Sequence, residues 1–289
     1  MASLRDVGFG LATALGYGTA DYVAKRTTDR VGFVETLWYL ELIGVPILIV
    51  LALLLEPGAS LPMGPLLLLA GLTGFNVVAS FFLYRAFEFG TLSVVSPIAS
   101  AYPALIVVLA VAFLNERPTI EDAVGIALAL TGVVLITRVT SAQDARAKNR
   151  RVGIVSAMVA FVGYGVFYFG LKLAVGPIPP LTSAALVRLL SLLPIALVAA
   201  HQGVLRLPRP GLASRALTIA ALDSLALVAY NLGIVTGHSL AVLGTVSGLF
   251  SAVTVAWAVV LLKERLSVVQ WIGAAAIFVG IVTLAVGAA

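Results

Sequence analysis

LNERPTIEDAVGIALALTGVVLI at 114–136 and LKERLSVVQWIGAAAIFVGIVTL at 262–284 are two versions of one segment, displaced by 148 residues. Glu116 falls on Glu264, Arg117 on Arg265, Gly125 on Gly273 and Gly132 on Gly280. Each begins with a charged triplet and runs into a Gly-rich apolar stretch of the length that a helix needs to cross the hydrocarbon layer, about 20 residues.

The same displacement governs the rest of the chain. GYG at 16–18 followed by Lys25 returns as GYG at 163–165 followed by Lys172, offset by 147, and Pro46 corresponds to Pro194. Several matches in register at nearly one offset mark an internal duplication. Its halves are 1–139 and 152–289, joined by a basic connection at 140–151 within TRVTSAQDARAKNRRVG, residues 137–153.

Apolar runs fall at 8–28, 33–55, 64–86, 92–114 and 121–138, then at 152–173, 180–200, 214–236, 240–262 and 268–287. The connections EPGASLPMGP at 56–65, NERPTIED at 115–122, GPIPP at 176–180 and RLPRPG at 206–211 are short and rich in breakers. The reading is an all-α integral membrane protein of ten transmembrane helices. Five helices per half is an odd number, so the second half enters from the opposite side and the halves are inverted repeats.

Composition agrees. Of 289 residues, 61% are hydrophobic and 11% charged, against roughly a quarter charged in soluble domains. The first run holds Asp21 and precedes many similar runs, so it is not a cleavable signal. The net charge of +5 does not indicate nucleic acid, because the basic residues sit singly in connections. They report topology instead. Fourteen of the 18 Lys and Arg lie after odd-numbered helices and three on the other side, with Arg188 inside a span. That bias places the odd connections in the cytoplasm and both termini outside a multi-pass protein of the cell membrane.

Cysteine is absent, and His201 and His238 lie in or near connections. Thiolate chemistry is excluded, no metal centre is expected, and no cofactor or catalytic residue stands out. No GxxxxGK[ST] phosphate loop occurs either, so no nucleotide-driven motor is expected.

The paired ten-helix layout, with NER at 115–117 and KER at 263–265 closing the fourth and ninth helices, resembles the EamA group of the drug/metabolite transporter superfamily. The resemblance covers essentially the whole chain. It implies a carrier for a small molecule, working among membrane lipids by alternating access, without chemistry on the cargo. It implies a cavity lined by helices 1, 3, 4, 6, 8 and 9. Relatives in the superfamily export amino acids and other metabolites, or carry nucleotide-sugars, sugar phosphates or lipid-linked groups. AYNLGIVTGHSLAVLG at 229–244 looks like the matching stretch of aromatic amino-acid exporters of the YddG type, which favours amino acids. The alternative cargo, phosphorylated or lipid-linked, would need cationic groups, and Arg188 is the sole basic residue deep in a span. Both halves lie in one chain, so a monomer suffices for a pathway and a dimer is compatible.

The residues point to the same helices. Tyr17 and Tyr164 sit inside the GYG motifs, and a phenolic hydroxyl away from water needs a partner, either cargo or a neighbouring helix. Ser96, Pro97, Ser100, Tyr102 and Pro103 crowd one and a half turns of the fourth span. Proline frees a backbone carbonyl one turn earlier, and hydrocarbon offers it no partner. The counterpart, with Gly244, Thr245, Ser247, Gly248 and Phe250, lacks Pro, so an asymmetric site is expected.

Ionisable residues within spans are functional candidates by default. Glu41 and Arg188 occupy equivalent repeat positions, offset by 147, and either pair across the bundle or serve separate vestibules. Asp21 shares a helical face with Lys25, as a local pair or as a gate. Asp223 and Asn231 make one face of the eighth helix polar at two depths, and Asn76 adds a mid-depth amide. Expected cargo contacts are therefore Tyr17, Asn76, Ser96, Tyr102, Tyr164, Asn231 and Trp257, with Asn231 foremost. Asp21, Glu41, Arg188 and Asp223 are the candidates for gating or proton coupling. Glu116 and Glu264 are read as helix caps or end-of-helix charges.

Overall fold

The computed structural model describes residues 4–114, 120–138, 147–236, 243 and 246–287. The first half contributes α1 (Leu4–Val31), α2 (Phe33–Leu55), α3 (Met63–Phe89), α4 (Leu92–Ser100), α5 (Tyr102–Leu114) and α6 (Ile120–Arg138). The second half contributes α7 (Arg150–Ala174), α8 (Pro180–His201), α9 (Pro210–Thr236), α10 (Phe250–Leu261) and α11 (Val268–Gly287). The chain is an all-α, multi-pass membrane protein. Among the described residues, five helices are long and apolar enough to cross a membrane by length and composition: α2, α3, α7, α8 and α9. Shorter apolar helical stretches lie at Leu92–Ile106, Ala123–Leu135, Val246–Leu261 and Val268–Thr283. Glu116, Arg117, His238, Gly244 and Thr245, and residues 140–146 of the connection, fall outside the described residues.

Large apolar side chains cover the outside, such as Leu53, Leu54 and Leu55 on α2, Phe113 on α5, and Leu193 and Leu197 on α8. Such an exterior is suited to lipid. The interior is correspondingly polar for a core, with Asp21, Glu35, Glu41, Ser96, Arg188 and Asn231 all buried.

Helix pairing follows the duplication. Helix α1 packs on α9, and α7, its sequence counterpart, packs on α3, the counterpart of α9. Helices α2 and α8 pack on one another, as do α6 and α11. The α6–α11 seam is closed by the glycines that the repeat singles out. A Cβ on Gly132 would lie 2.4 Å from the carbonyl oxygen of Gly273, and one on Gly280 would lie 2.7 Å from the carbonyl oxygen of Gly125. Only hydrogen fits at either point, which is how small residues bring membrane helices together.

The fourth expected span, 92–114, is two helices. Helix α4 ends at Ser100, Ala101 takes φ −72° and ψ 0°, and α5 starts at Tyr102. Pro103 has no N–H to offer the carbonyl of Ala99, so the ladder cannot continue there. The ninth span is interrupted at the equivalent place: Leu249, 148 residues later, has φ −65° and ψ −6°. The tightened bonds correspond as well, Ala101 N–H to the Ile98 carbonyl at 3.3 Å and Leu249 N–H to the Val246 carbonyl at 3.2 Å. The expected asymmetry is thus corrected for the backbone. Gly248, a weak helix former, stands beside the second break, and a Cβ there would meet Ile281 at 2.9 Å.

The connections that follow odd-numbered spans gather at one end. Lys25 donates to the Phe87 carbonyl at 2.6 Å, Lys148 pairs with Glu88, and the Phe33 N–H donates to Glu88 at 2.8 Å. Glu264 accepts from Leu92 N–H at 3.1 Å, Ser93 N–H at 2.8 Å and the Ser93 hydroxyl at 2.5 Å. It is therefore a cap, for the start of α4 in the other half rather than for its own helix. Arg206 reaches Glu35 through two bonds, at 3.0 and 2.6 Å. At the opposite end Glu56 caps α8, accepting from Leu181 N–H at 3.1 Å and Thr182 N–H at 2.7 Å. A wider polar chamber of about 560 Å³ opens at the first end, lined in part by Lys25, Arg30, Glu88, Lys148 and Glu264.

Candidate functional site: a charged, tyrosine-lined cavity between the halves

A cavity of about 60 Å³ lies among helices of both halves. Each wall is a short periodic face. Tyr17 and Asp21 come from α1, Asn76, Ser80 and Tyr84 from α3, Tyr164 and Tyr168 from α7, and Asp223 and Leu227 from α9. Within each set the spacing is four residues, which stacks side chains on one side of a helix. Tyr102 at the start of α5 and Phe250 at the start of α10 enter at the two backbone breaks.

The aromatic part is one continuous cluster. Tyr102 stacks on Tyr168 with ring centroids 4.9 Å apart, and Tyr168 meets Tyr230 edge-on at 5.1 Å. Tyr17 lies edge-on to Phe250 at 6.3 Å. The hydroxyls find polar neighbours, Tyr17 with Tyr168 at 3.4 Å and Tyr164 with Ser80 at 3.2 Å.

The ionic part centres on Arg188. Its Nη1 donates to Glu41 Oε1 at 3.0 Å, and its Nη2 pairs with Asp223. Because α2 and α8 pack together, the equivalent repeat positions of Glu41 and Arg188 bring the two face to face. Gly44 lies beside the pair, and a Cβ there would make only an ordinary contact, 3.8 Å from Arg188 Nε. Among the described residues Arg188 Nε and Glu41 Oε2 are buried without a hydrogen-bond partner, so the cluster is charge-dense but incompletely bonded. Asp21 stands apart. Lys25 turns away from it to Asp29 at 2.8 Å, which corrects the expected local pair. Asp21 meets the Thr254 hydroxyl at 3.4 Å.

The structure thus gathers Tyr17, Asn76, Tyr102, Tyr164, Asp21, Arg188 and Asp223 around one space, with Glu41 behind Arg188. Three expected contacts lie elsewhere. Asn231 is fully buried but donates to the Pro180 carbonyl at 3.0 Å, because the start of α8 passes there. Trp257 donates to Thr19 at 3.2 Å and packs against Tyr22, beyond the cavity. Ser96 is enclosed within α4, its hydroxyl without a partner among the described residues. Ser80, Tyr84, Phe167 and Tyr168 line the cavity and were not expected, although Asn76, Ser80 and Tyr84 follow each other at a spacing of four.

The profile of the EamA-like transporter family matches residues 5–138 and again residues 151–286. An uncharacterized protein of Methanocaldococcus jannaschii is 30% identical over 129 residues, which is 44% of this chain and 93% of that protein. A protein of known crystal structure shares the fold, with a TM-score of 0.64 at 19% identity, over 98% of this chain and 97% of that one.

Proposed function

Because the chain belongs to the EamA-like transporter family, we propose that it is an alternating-access carrier whose cargo binds in the tyrosine-lined cavity. The observation that carries this reading is the cavity itself: charged and hydroxyl groups from both halves, converging where the surrounding helices are apolar outside. Intramembrane charges are expensive and face pathways. At about 60 Å³, the space holds a few waters, whereas small-molecule sites run to roughly 300 Å³ or more. The conformation is therefore closed, and access requires the halves to part.

In this reading the ten spans form two inverted five-helix repeats that rock about the site, with both termini outside. The exchange-symmetric helix pairing supports it, as do the matched breaks at Ala101 and Leu249. So does the existence of a relative about as long as one half. Amino acids, or similarly small amphipathic metabolites, are the cargo. Aromatic rings suit an apolar side chain, and the ionic cluster suits a charged head. Phosphorylated cargo is disfavoured because Arg188 already faces two carboxylates.

The test is uptake of radiolabelled amino acids into proteoliposomes, comparing wild type with Asn76→Ala in the cavity and Asn231→Ala outside it. Saturable uptake weakened by the first variant and spared by the second is expected. No uptake above empty vesicles, under pH gradients of either sign, overturns the amino-acid cargo.

A further inference from the structure

We propose that Asp21 anchors an ammonium group, so that the cavity selects cargo by its amine and does not require a carboxylate. The inference rests on the cavity being the cargo site, and it names the class of molecule that site takes.

The charge balance is uneven. Arg188, Glu41 and Asp223 together carry one positive and two negative groups, and Asp21 adds a further carboxylate on the cavity wall. Among the described residues, Asp21 has a single hydrogen bond, from the Thr254 hydroxyl at a long 3.4 Å. Its side chain is nonetheless enclosed, with 8% of the residue exposed. The one basic side chain a helical turn away, Lys25, is held by Asp29 and the Phe87 carbonyl. An ionised Asp21 thus lacks a cation in the closed state.

The walls around it suit a cation. Tyr17, Tyr84, Tyr102, Tyr164 and Phe250 line the same space, and the face of an aromatic ring attracts an ammonium, more strongly once water is excluded. A carboxylate on the cargo meets the opposite situation. To pair with the Nη atoms of Arg188 it must displace Glu41 or Asp223, leaving that group buried without a countercharge, and otherwise only the single N–H at Nε is left for it. The amine is matched by a waiting group, whereas the carboxylate has to compete for an occupied one.

Three probes with one phenyl body separate these terms: phenylalanine, phenethylamine, which lacks the carboxylate, and hydrocinnamate, which lacks the amine. Binding is measured by calorimetric titration of the purified full chain, so passive leakage of the amine across vesicles is irrelevant. Phenethylamine is expected to bind at least as tightly as phenylalanine, and hydrocinnamate at least roughly tenfold more weakly, the scale of one charged hydrogen bond. Asp21→Asn is expected to lose a similar factor for both amines, with Asp21→Glu recovering most of it and an unchanged melting temperature showing that the variant folds. Binding of hydrocinnamate equal to that of phenethylamine, or retention of amine binding in a folded Asp21→Asn, overturns the inference. Absence of binding by all three probes overturns it too. Saturable phenylalanine uptake alongside any of these results leaves the carrier reading standing, whereas failure of the uptake test removes its foundation.

Discussion

The protein contains two arginine–carboxylate assemblies built in opposite ways. Arg206 and Glu35, at the end of the bundle where the basic connections meet, form a closed fork: two bonds at 3.0 and 2.6 Å, with the guanidinium half exposed. The Arg206 carbonyl also accepts from the Trp38 indole at 2.9 Å, so the connection is tied to α2 twice. Arg188, in the interior, is shared between Glu41 and Asp223, and it leaves Nε and one oxygen of Glu41 unbonded. The first is a satisfied strut in contact with water. The second keeps unspent bonding capacity where water is scarce, which is the condition for a group that exchanges partners. The two assemblies thus differ in how completely their polar atoms are matched, and the role proposed for Arg188 rests on that difference rather than on how close the charges lie.

The contrast can be broken most decisively at Arg188. Arg188→Ala leaves Glu41 and Asp223 as buried carboxylates without a cation, a change that costs about 3–5 kcal/mol in soluble proteins. A large fall in melting temperature of the detergent-purified protein is expected, reversed in good part by adding Glu41→Gln and Asp223→Asn. A single variant that melts like wild type would show that the three residues are not one charge-balanced unit.

Asp223→Asn is the sharper probe. Arg188 keeps Glu41, so stability should change by about 1 kcal/mol or less, within the usual range for a single substitution. Amino-acid uptake should fall roughly tenfold, the effect of losing one charge-assisted contact. Equal losses of stability and transport would reclassify Asp223 as a strut. The smallest effect belongs to Arg206→Ala. Glu35 is buried but its guanidinium partner is half exposed, so water and salt screen the pair and Glu35 keeps the Tyr39 hydroxyl; the melting temperature should drop slightly, less at high salt, with uptake unchanged.

Much of the fold was legible because hydrocarbon admits few solutions. Apolar runs of spanning length located the helices, and the offset of 147 put Glu41 and Arg188 at equivalent positions, which left pairing or separate vestibules open until the packing of α2 on α8 brought the two together. Glycines shared by the two copies, Gly132 and Gly280, proved to lie where the backbones of α6 and α11 leave no room for a Cβ. The site was less legible. Its walls are faces at four-residue spacing, and the face running through Asn76, Ser80 and Tyr84 was readable in α3. In α9 the same rule misled: Asp223 reaches the cavity, but Asn231, two turns on, faces the entry of α8 and serves the Pro180 carbonyl. Periodicity identifies the side of a helix and says nothing of which neighbour passes at a given depth. The break at Leu249 was hidden for a related reason, since no proline announces it and the tight approach of Gly248 to Ile281 beside it shows only in the packing.

The α6–α11 seam bears on how the chain is made. Its two surfaces are separated by nearly half the sequence, and α11 begins only at Val268. A ribosome delivering this protein to the membrane therefore releases α6 long before its partner exists, with Gly125 and Gly132 facing lipid or an insertion chaperone. Closure of the seam waits until α11 has been made, and truncation within Val268–Gly287 would leave the bundle open along the face that α6 presents.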